Sequence, residues 1–214
     1  MKKIIYPLFL IVLLVACSQR EAHIDITTKL ANTGVQSEYD KAFLNASEAQ
    51  LLFKEDQSVA YFAGEGNEYA AFTETTHWLS NQYVEVVIDN GGTMISRYFY
   101  VHDDAVYLVK ELSDEEPALT LEQLTSLPLG EPIITVPFKM DTQVGEWRIT
   151  QTDATVTTAL QTFTNVTILE KQTINETNKI YLALGFGIVK NEFITTFEGQ
   201  QEIIRSTLMS IDYN

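Results

Sequence analysis

The sequence predicts a mainly β domain: one curved antiparallel meander sheet, open and half-barrel-like, with one or two short helices. Two packed sheets in a sandwich is the alternative. Three observations lead there. From Gln57 onward, apolar and polar residues alternate with a period of two through most of the chain. The runs are separated by short turn signals, such as Gly64-Glu65-Gly66-Asn67, Asp89-Asn90-Gly91-Gly92 and His102-Asp103-Asp104. Antiparallel neighbours need only such hairpins, whereas a parallel crossover consumes about a dozen residues or more. The runs are filled by isoleucine, threonine, tyrosine, phenylalanine and valine, which suit a pleated, half-buried surface.

The elements follow in order. In 38–53, Tyr39, Phe43 and Ala46 recur at near-helical spacing, and Ser47-Glu48 precedes Leu51-Leu52. Short helical turns broken near Asn45 are expected, with a strand around 51–53 as the other reading. Strands are expected at 58–63, 68–73, 83–88, 93–101 and 105–111. The Asp89–Gly92 turn is a strong hairpin signal, because glycine and asparagine tolerate positive φ. An acidic break, Ser113-Asp114-Glu115-Glu116-Pro117, leads to Leu121, Leu124 and Leu127 at spacings of three, the pattern of one short helix closing over the sheet. Pro128, Gly130 and Pro132 then punctuate the chain, so the division between two meander halves falls near 113–132. The second half is expected to form strands at 133–138, 147–151, 155–159, 163–172, 179–183, 184–190, 191–196 and 202–212. Pro137 keeps its strand from a central place, since proline cannot donate to the ladder.

Ahead of this domain stands MKKIIYPLFLIVLLVAC: a positive head at Lys2 and Lys3, an apolar core from Ile4 to Ala16, and the sole cysteine of the chain, Cys17. The core is too short for an ordinary spanning helix and has the form of a secretory signal. Its end, Leu14-Val15-Ala16-Cys17, resembles the lipobox of bacterial lipoproteins. The resemblance implies cleavage before Cys17, a diacylglyceryl group on its sulfur, and acylation (palmitate or a similar chain) of the new N-terminus. On that reading residues 1–16 are the signal peptide, 17–37 a tether, and 38–214 a single β-rich extracytoplasmic domain. The location implied is the bacterial cell membrane, lipid-anchored on its outer side. The tether, 18–37, is polar and mixed in charge, although Ile24 and Ile26 could instead supply an edge strand.

A second resemblance lies in 133–194. Gly145-Glu146-Trp147, Phe163-Thr164-Asn165-Val166, Tyr181 and Gly185-Phe186-Gly187-Ile188-Val189-Lys190 are similar to a pattern in uncharacterised β-rich bacterial surface lipoproteins. It implies consecutive sheet members and no activity. Similar lipid-tethered proteins sometimes adopt the curved, incomplete barrel of the periplasmic lipoprotein carriers, whose apolar cavity holds an acyl chain. Few helices are available here to plug such a cavity.

Composition narrows the function further. The chain has 14 Lys and Arg against 29 Asp and Glu, a net charge of −15. So acidic a surface repels nucleic acid and anionic headgroups. With Cys17 acylated no thiol remains for a disulfide, a nucleophile or a metal. Gly64-Glu65-Gly66-Asn67 lacks the following helix of a phosphate loop, and its acids would repel phosphate. His23, His77 and His102 lie in separate segments, so a zinc site is not indicated. Asp103 and Asp104 match no calcium loop. No serine elbow is present, and acids are too widespread for any catalytic pair to stand out. No cofactor and no catalytic residue is assigned.

Aromatic residues supply the remaining candidate. Tyr98 and Tyr100 share one strand face while Phe99 takes the other, and these two tyrosines are the candidate ligand or partner face. The expected protein is therefore a non-enzymatic binding module for an envelope protein or ligand, held to the bilayer through acylated Cys17. A hydrolase of envelope polymers and a lipid-carrier-like protein are the competing readings.

Overall fold

The computed structural model describes residues 46–197 and 200–213. Cys17, the tether and the first helical turns expected before Ala46 lie outside the described residues, as does the turn expected at Glu198-Gly199. Among the described residues a 3-10 turn, Gln50–Leu52, precedes β1 (Ser58–Glu65), β2 (Phe72–Trp78), β3 (Tyr83–Asp89), β4 (Met94–His102) and β5 (Ala105–Ser113). A short helix, α1 (Leu121–Thr125), separates these from β6 (Ile134–Thr135), β7 (Gln143–Val144) and β8 (Trp147–Thr157). The chain continues through β9 (Thr162–Gln172), β10 (Glu176–Ala183), β11 (Gly187–Phe197) and β12 (Gln200–Tyr213).

All twelve strands join one antiparallel sheet, in the order β6-β5-β4-β3-β2-β1-β12-β11-β10-β9-β8-β7. The sheet is a single meander in each half. The halves are sewn together where β1 pairs with β12, from Ser58 opposite Tyr213 to Glu65 opposite Arg205. The sandwich alternative is excluded by this continuity.

The sheet curls almost into a barrel. Its two edge strands, β6 and β7, are joined by residues 136–142 alone, and an extended chain of that length reaches less than about 30 Å. Packing shows the same closure. One core cluster draws Val84 and Val86 from β3, Val101 from β4 and Val106 from β5 together with Ile149, Leu169 and Leu182 from β8, β9 and β10. Residues from opposite ends of the sheet can meet only if its concave face wraps around. Val136, on the connection between the edges, joins this cluster, with Ile133, Ile134 and Phe138 against it. A second cluster, around Phe62, Val166, Val189 and Leu208, fills the rest of the interior.

The 3-10 turn plugs the interior from one end. Ala49 and Leu52 belong to the first cluster, and Gly185 donates its N–H to the Leu51 carbonyl at 2.6 Å. Here a glycine is required: Gly187 has φ +61°, and a Cβ on it would stand 2.8 Å from the Leu52 carbonyl oxygen. Ser47 and Gln50 fix the turn by reciprocal bonds, Ser47 N–H to Gln50 Oε1 at 2.8 Å and Gln50 N–H to Ser47 Oγ at 3.3 Å.

The convex face differs between halves. In the first half, the excursion after β5 folds back over it. A capping box starts α1, with Gln123 N–H on Thr120 Oγ1 and Thr120 N–H on Gln123 Oε1. Leu124 then packs on Tyr98 and Leu112. In the second half the convex face carries a row of directly opposed charges. Arg148 faces Glu170, Glu170 faces Lys179, Lys179 faces Glu192, Glu192 faces Arg205, and Arg205 faces Glu65. Signs alternate across β8, β9, β10, β11, β12 and β1, which is the favourable cross-strand arrangement.

Four expectations need correction. The strands expected at 184–190 and 191–196 are one, β11, which begins at Gly187 after the turn that follows β10. The run 68–73 is mostly turn: Asn67 accepts Tyr69 N–H on its side chain and Ala70 N–H on its carbonyl, so pairing resumes only at Phe72. The two strands at 147–151 and 155–159 are one, β8, whose register shifts against β9 absorb the irregular stretch between them. Of 133–138 only Ile134 and Thr135 pair, because Val136 and Phe138 turn into the core as the chain crosses between edges. The Asp89–Gly92 hairpin forms as expected. Gly91 has φ +78°, and the Asp89 and Asn90 side chains accept the N–H groups of Gly91, Gly92 and Thr93.

Candidate functional site at the mouth of the barrel

Directly after the plug, Phe53-Lys54-Glu55-Asp56 crosses one end of the curled sheet before β1 begins. Its course is fixed by the end of β2. Trp78 Nε1–H donates to the Lys54 carbonyl at 3.0 Å, and Trp78 N–H donates to Asp56 Oδ1 at 2.8 Å. The Phe53 ring stands edge-on to the indole, with centroids 5.8 Å apart, and contacts Phe99 on its other side at 5.2 Å.

Between this segment and the tips of β2, β3 and β4 lies a cavity of about 900 Å³. Phe53, Trp78 and Val101 supply its apolar wall, and Glu55, Asp56 and Asp103 supply carboxylates. Gln50, Asn81 and Gln82 form much of the rim and are already engaged with one another's neighbours. Gln50 Nε2 donates to the Asn81 carbonyl at 2.7 Å, and the Gln82 carbonyl accepts Val101 N–H at 2.7 Å. The volume lies within the range of small-molecule sites, and an apolar wall with a few placed polar groups is their usual make-up. Burial raises the pKa of Glu55 above the ordinary carboxylate range.

Lys54 also borders the cavity, but its ammonium turns inward. It sits 2.5 Å from Glu74 on the concave face of β2, with side-chain exposures of 1% and 8%. It lies 5.3 Å from the Phe62 ring centroid and 3.4 Å from the Ile188 carbonyl. Its charge is thus spent inside the barrel. Thr76, also on this face of β2, is fully buried, and its hydroxyl has no hydrogen-bond partner among the described residues.

The two tyrosines read from the sequence meet different fates. They share the convex face, as the pairing of Tyr98 with Glu85 and of Tyr100 with Tyr83 requires. Tyr98 is only 1% exposed, roofed by Leu124, and its hydroxyl accepts Leu119 N–H at 3.1 Å. Burial and the bond with Glu85 push its phenol up to about 12. It therefore offers no contact surface. Tyr100 is half-buried in an aromatic group with Tyr83 at 5.0 Å, Tyr107 at 6.0 Å and His102 at 6.1 Å. Its hydroxyl accepts from Gln82 Nε2 at 3.3 Å, so Tyr100 braces the rim of the cavity.

No motif in the sequence marks Glu55, Asp56 or Trp78. The first two lie in a short polar break before a strand, indistinguishable from any solvated turn; only Trp78 after a threonine-rich run hinted at a wall. His77 and His102 are not brought together with other ligands: among the described residues no group of three or more His, Cys, Asp or Glu is placed to hold a metal ion. Gly64 and Glu65 end β1, and Gly66, at φ +85°, opens the turn that leads to β2 and not to a helix.

No protein-family model matches the chain, and no curated protein matches it. A crystal structure of a Bacteroides fragilis protein, described as exported and of YmcC-like fold, is similar over 75% of this chain and 98% of its own. Identity is 13% and the TM-score 0.44. The architecture described above accordingly rests on the strand order and packing of this chain itself: a mainly β, nearly closed antiparallel half-barrel with minimal helix.

Proposed function

We propose that the protein is an exported, membrane-anchored lipoprotein, held by acylated Cys17, that binds a ligand in the cavity at the barrel mouth without transforming it. The cavity carries this reading. It combines an aromatic wall, a braced polar rim and carboxylates without a paired cation in one concavity of ligand size. The anchor rests on the leader that ends in Leu14-Val15-Ala16-Cys17. Two or more acyl chains there would hold the protein stably, where one holds marginally.

Two measurements test the two parts. Cells fed a fatty-acid analogue should label the wild type and not Cys17→Ser, and the variant should leave the membrane fraction. Wild-type protein that takes up no label and washes off in high salt would sink the anchor. For the cavity, ligands found by thermal-shift screening should perturb the emission of Trp78 in a Trp147→Phe background. Hits that leave Trp78 unchanged would remove the cavity as the site.

One observation favours a second reading. Glu55, Asp56 and Asp103 border the same cavity, and burial raises the pKa of Glu55, as a general acid would need. A hydrolase of envelope polymers would show reproducible turnover that is lost in Glu55→Gln. A carrier of acyl chains has less support, because Ala49, Leu52 and the side chains around them occupy the interior where the chain would lie.

A further inference from the structure

We infer that the cavity at the barrel mouth is specific for a small organic cation, a ligand that presents a primary or quaternary ammonium group. The inference deepens the binding reading above and rests on it. Its first ground is charge. Three carboxyl side chains, Glu55, Asp56 and Asp103, border the cavity, and among the lining residues only Lys54 is basic. The Lys54 ammonium is 1% exposed and is consumed by Glu74, so it neither compensates the carboxylates nor greets an anion. Among the described residues no cation pairs with Glu55 or Asp103, although the protein makes such pairs freely elsewhere, at Glu65, Glu111, Asp141, Glu146, Glu170 and Glu192.

The second ground is desolvation. Glu55 is half-buried at the cavity and no cation pairs with it among the described residues, and its partial burial disfavours the ionised form. A bound cation removes that penalty, whereas an anion would add to it. The third ground is the wall. Trp78 is held by two hydrogen bonds and by the Phe53 edge, so its indole is a fixed aromatic surface beside the acids. Aromatic rings attract alkylammonium groups through their quadrupole, tryptophan most of all, and cost little entropy when already fixed. The overall charge of −15 raises the local concentration of cations around such a mouth.

The test uses the detergent-solubilised full chain carrying Trp147→Phe, which leaves Trp78 as its one tryptophan. It is titrated with tetramethylammonium and n-butylamine, with the neutral isostere neopentane carried as neopentyl alcohol, and with butyrate. The expected result is saturable quenching of Trp78 by the two cations, weakened by added salt, and at least tenfold weaker binding in Glu55→Gln/Asp103→Asn at an unchanged melting temperature. Neopentyl alcohol or butyrate binding as well as the cations would overturn the cation specificity and leave the cavity standing as a site. Cation binding that is untouched in the double variant would place the cation elsewhere and overturn the inference. Trp78 silent toward every probe would sink the cation inference, and silence toward the wider thermal-shift screen as well would sink the binding reading with it.

Discussion

On the convex side of β4 and β5, Tyr98 and Leu112 lie beneath Leu124, with Leu119 and Leu127 closing around them. On the convex side of β9 to β12, the corresponding surface carries Glu170, Lys179, Glu192 and Arg205 in one cross-strand row, and nothing covers it among the described residues. Both regions belong to the same sheet and back onto the same interior. The first half covers its outer face by burial and spends the whole excursion between β5 and β6, residues 114–133, to do so. The second half solvates its outer face and orders it with charge. Burial is insensitive to pH and salt; a charge row is sensitive to both. The two halves should therefore fail under different conditions, and substitutions can separate them.

The largest effect is expected from opening the covered half. Tyr98→Ala removes a ring that is 1% exposed and leaves a cavity beneath Leu124, which should cost about 3–5 kcal/mol. Tyr98→Phe keeps the ring and orphans the Leu119 N–H, and should cost about 1 kcal/mol. Urea denaturation of both variants measures the pair. Equal and small losses would mean that α1 and its flanks do not seal this face.

Next comes the contrast between charges inside and outside the barrel. Glu74→Gln leaves the Lys54 ammonium buried at 1% exposure without its counter-ion, and should cost about 3–5 kcal/mol. Replacing the pair together, as Lys54→Met with Glu74→Leu, should recover most of that loss, because two desolvated charges go with it. Thermal unfolding decides: a double variant no more stable than Glu74→Gln would show that the pair is net stabilising beyond mutual compensation. The outer pair Arg148–Asp141, with side chains 58% and 64% exposed, should by the same measurement contribute almost nothing.

The features legible in the sequence are those written in neighbouring residues. The Asp89-Asn90-Gly91-Gly92 turn, the alternation of β3 and β4 around it, and the short helix from Leu121 all depend on contacts within a few positions. The features that were not legible depend on closure. Glu55, Trp78 and Asp103 stand on different elements and share a cavity only because the sheet curls and the 3-10 turn enters its end. Tyr98 and Tyr100 carry the same signal, two tyrosines on one face, and differ only in which of them the returning leucines reach. The helix could be read but not its landing place. The charge row is invisible for a related reason. Arg148, Glu170, Lys179, Glu192 and Arg205 are ordinary exposed residues until the register sets them opposite one another. The bulges between Tyr61 and Phe62 and between Tyr181 and Leu182 shift that register by amounts no alternation pattern reveals.

The smallest effect, and the one that belongs to the charged half alone, concerns Glu192. Burial acts to raise the pKa of this carboxyl, but bonds from Tyr181, Lys190 and Arg205 outweigh it and hold the value at about 2. Tyr181 Oη–H donates at 2.6 Å, Arg205 Nε at 2.9 Å, and Lys190 Nζ lies at 2.9 Å. The unfolded chain titrates near the ordinary value of about 4.3. The folded pKa is the lower one, so the unfolded state binds the proton first as pH falls. The contribution of Glu192 is complete above about pH 5 and disappears as pH drops toward 2. Solvent screening of these partly exposed groups limits it to about 1 kcal/mol at neutral pH. Glu192→Gln should therefore be slightly less stable than the parent at pH 7, and the two should converge as the pH approaches 2. Leu124→Ala, which removes an apolar side chain from the covered half, should run parallel to the parent over the same interval. Melting temperatures taken from pH 7 to pH 2 test both statements, and a Glu192→Gln curve that stays parallel to the parent would show that the row orders the surface without stabilising the fold.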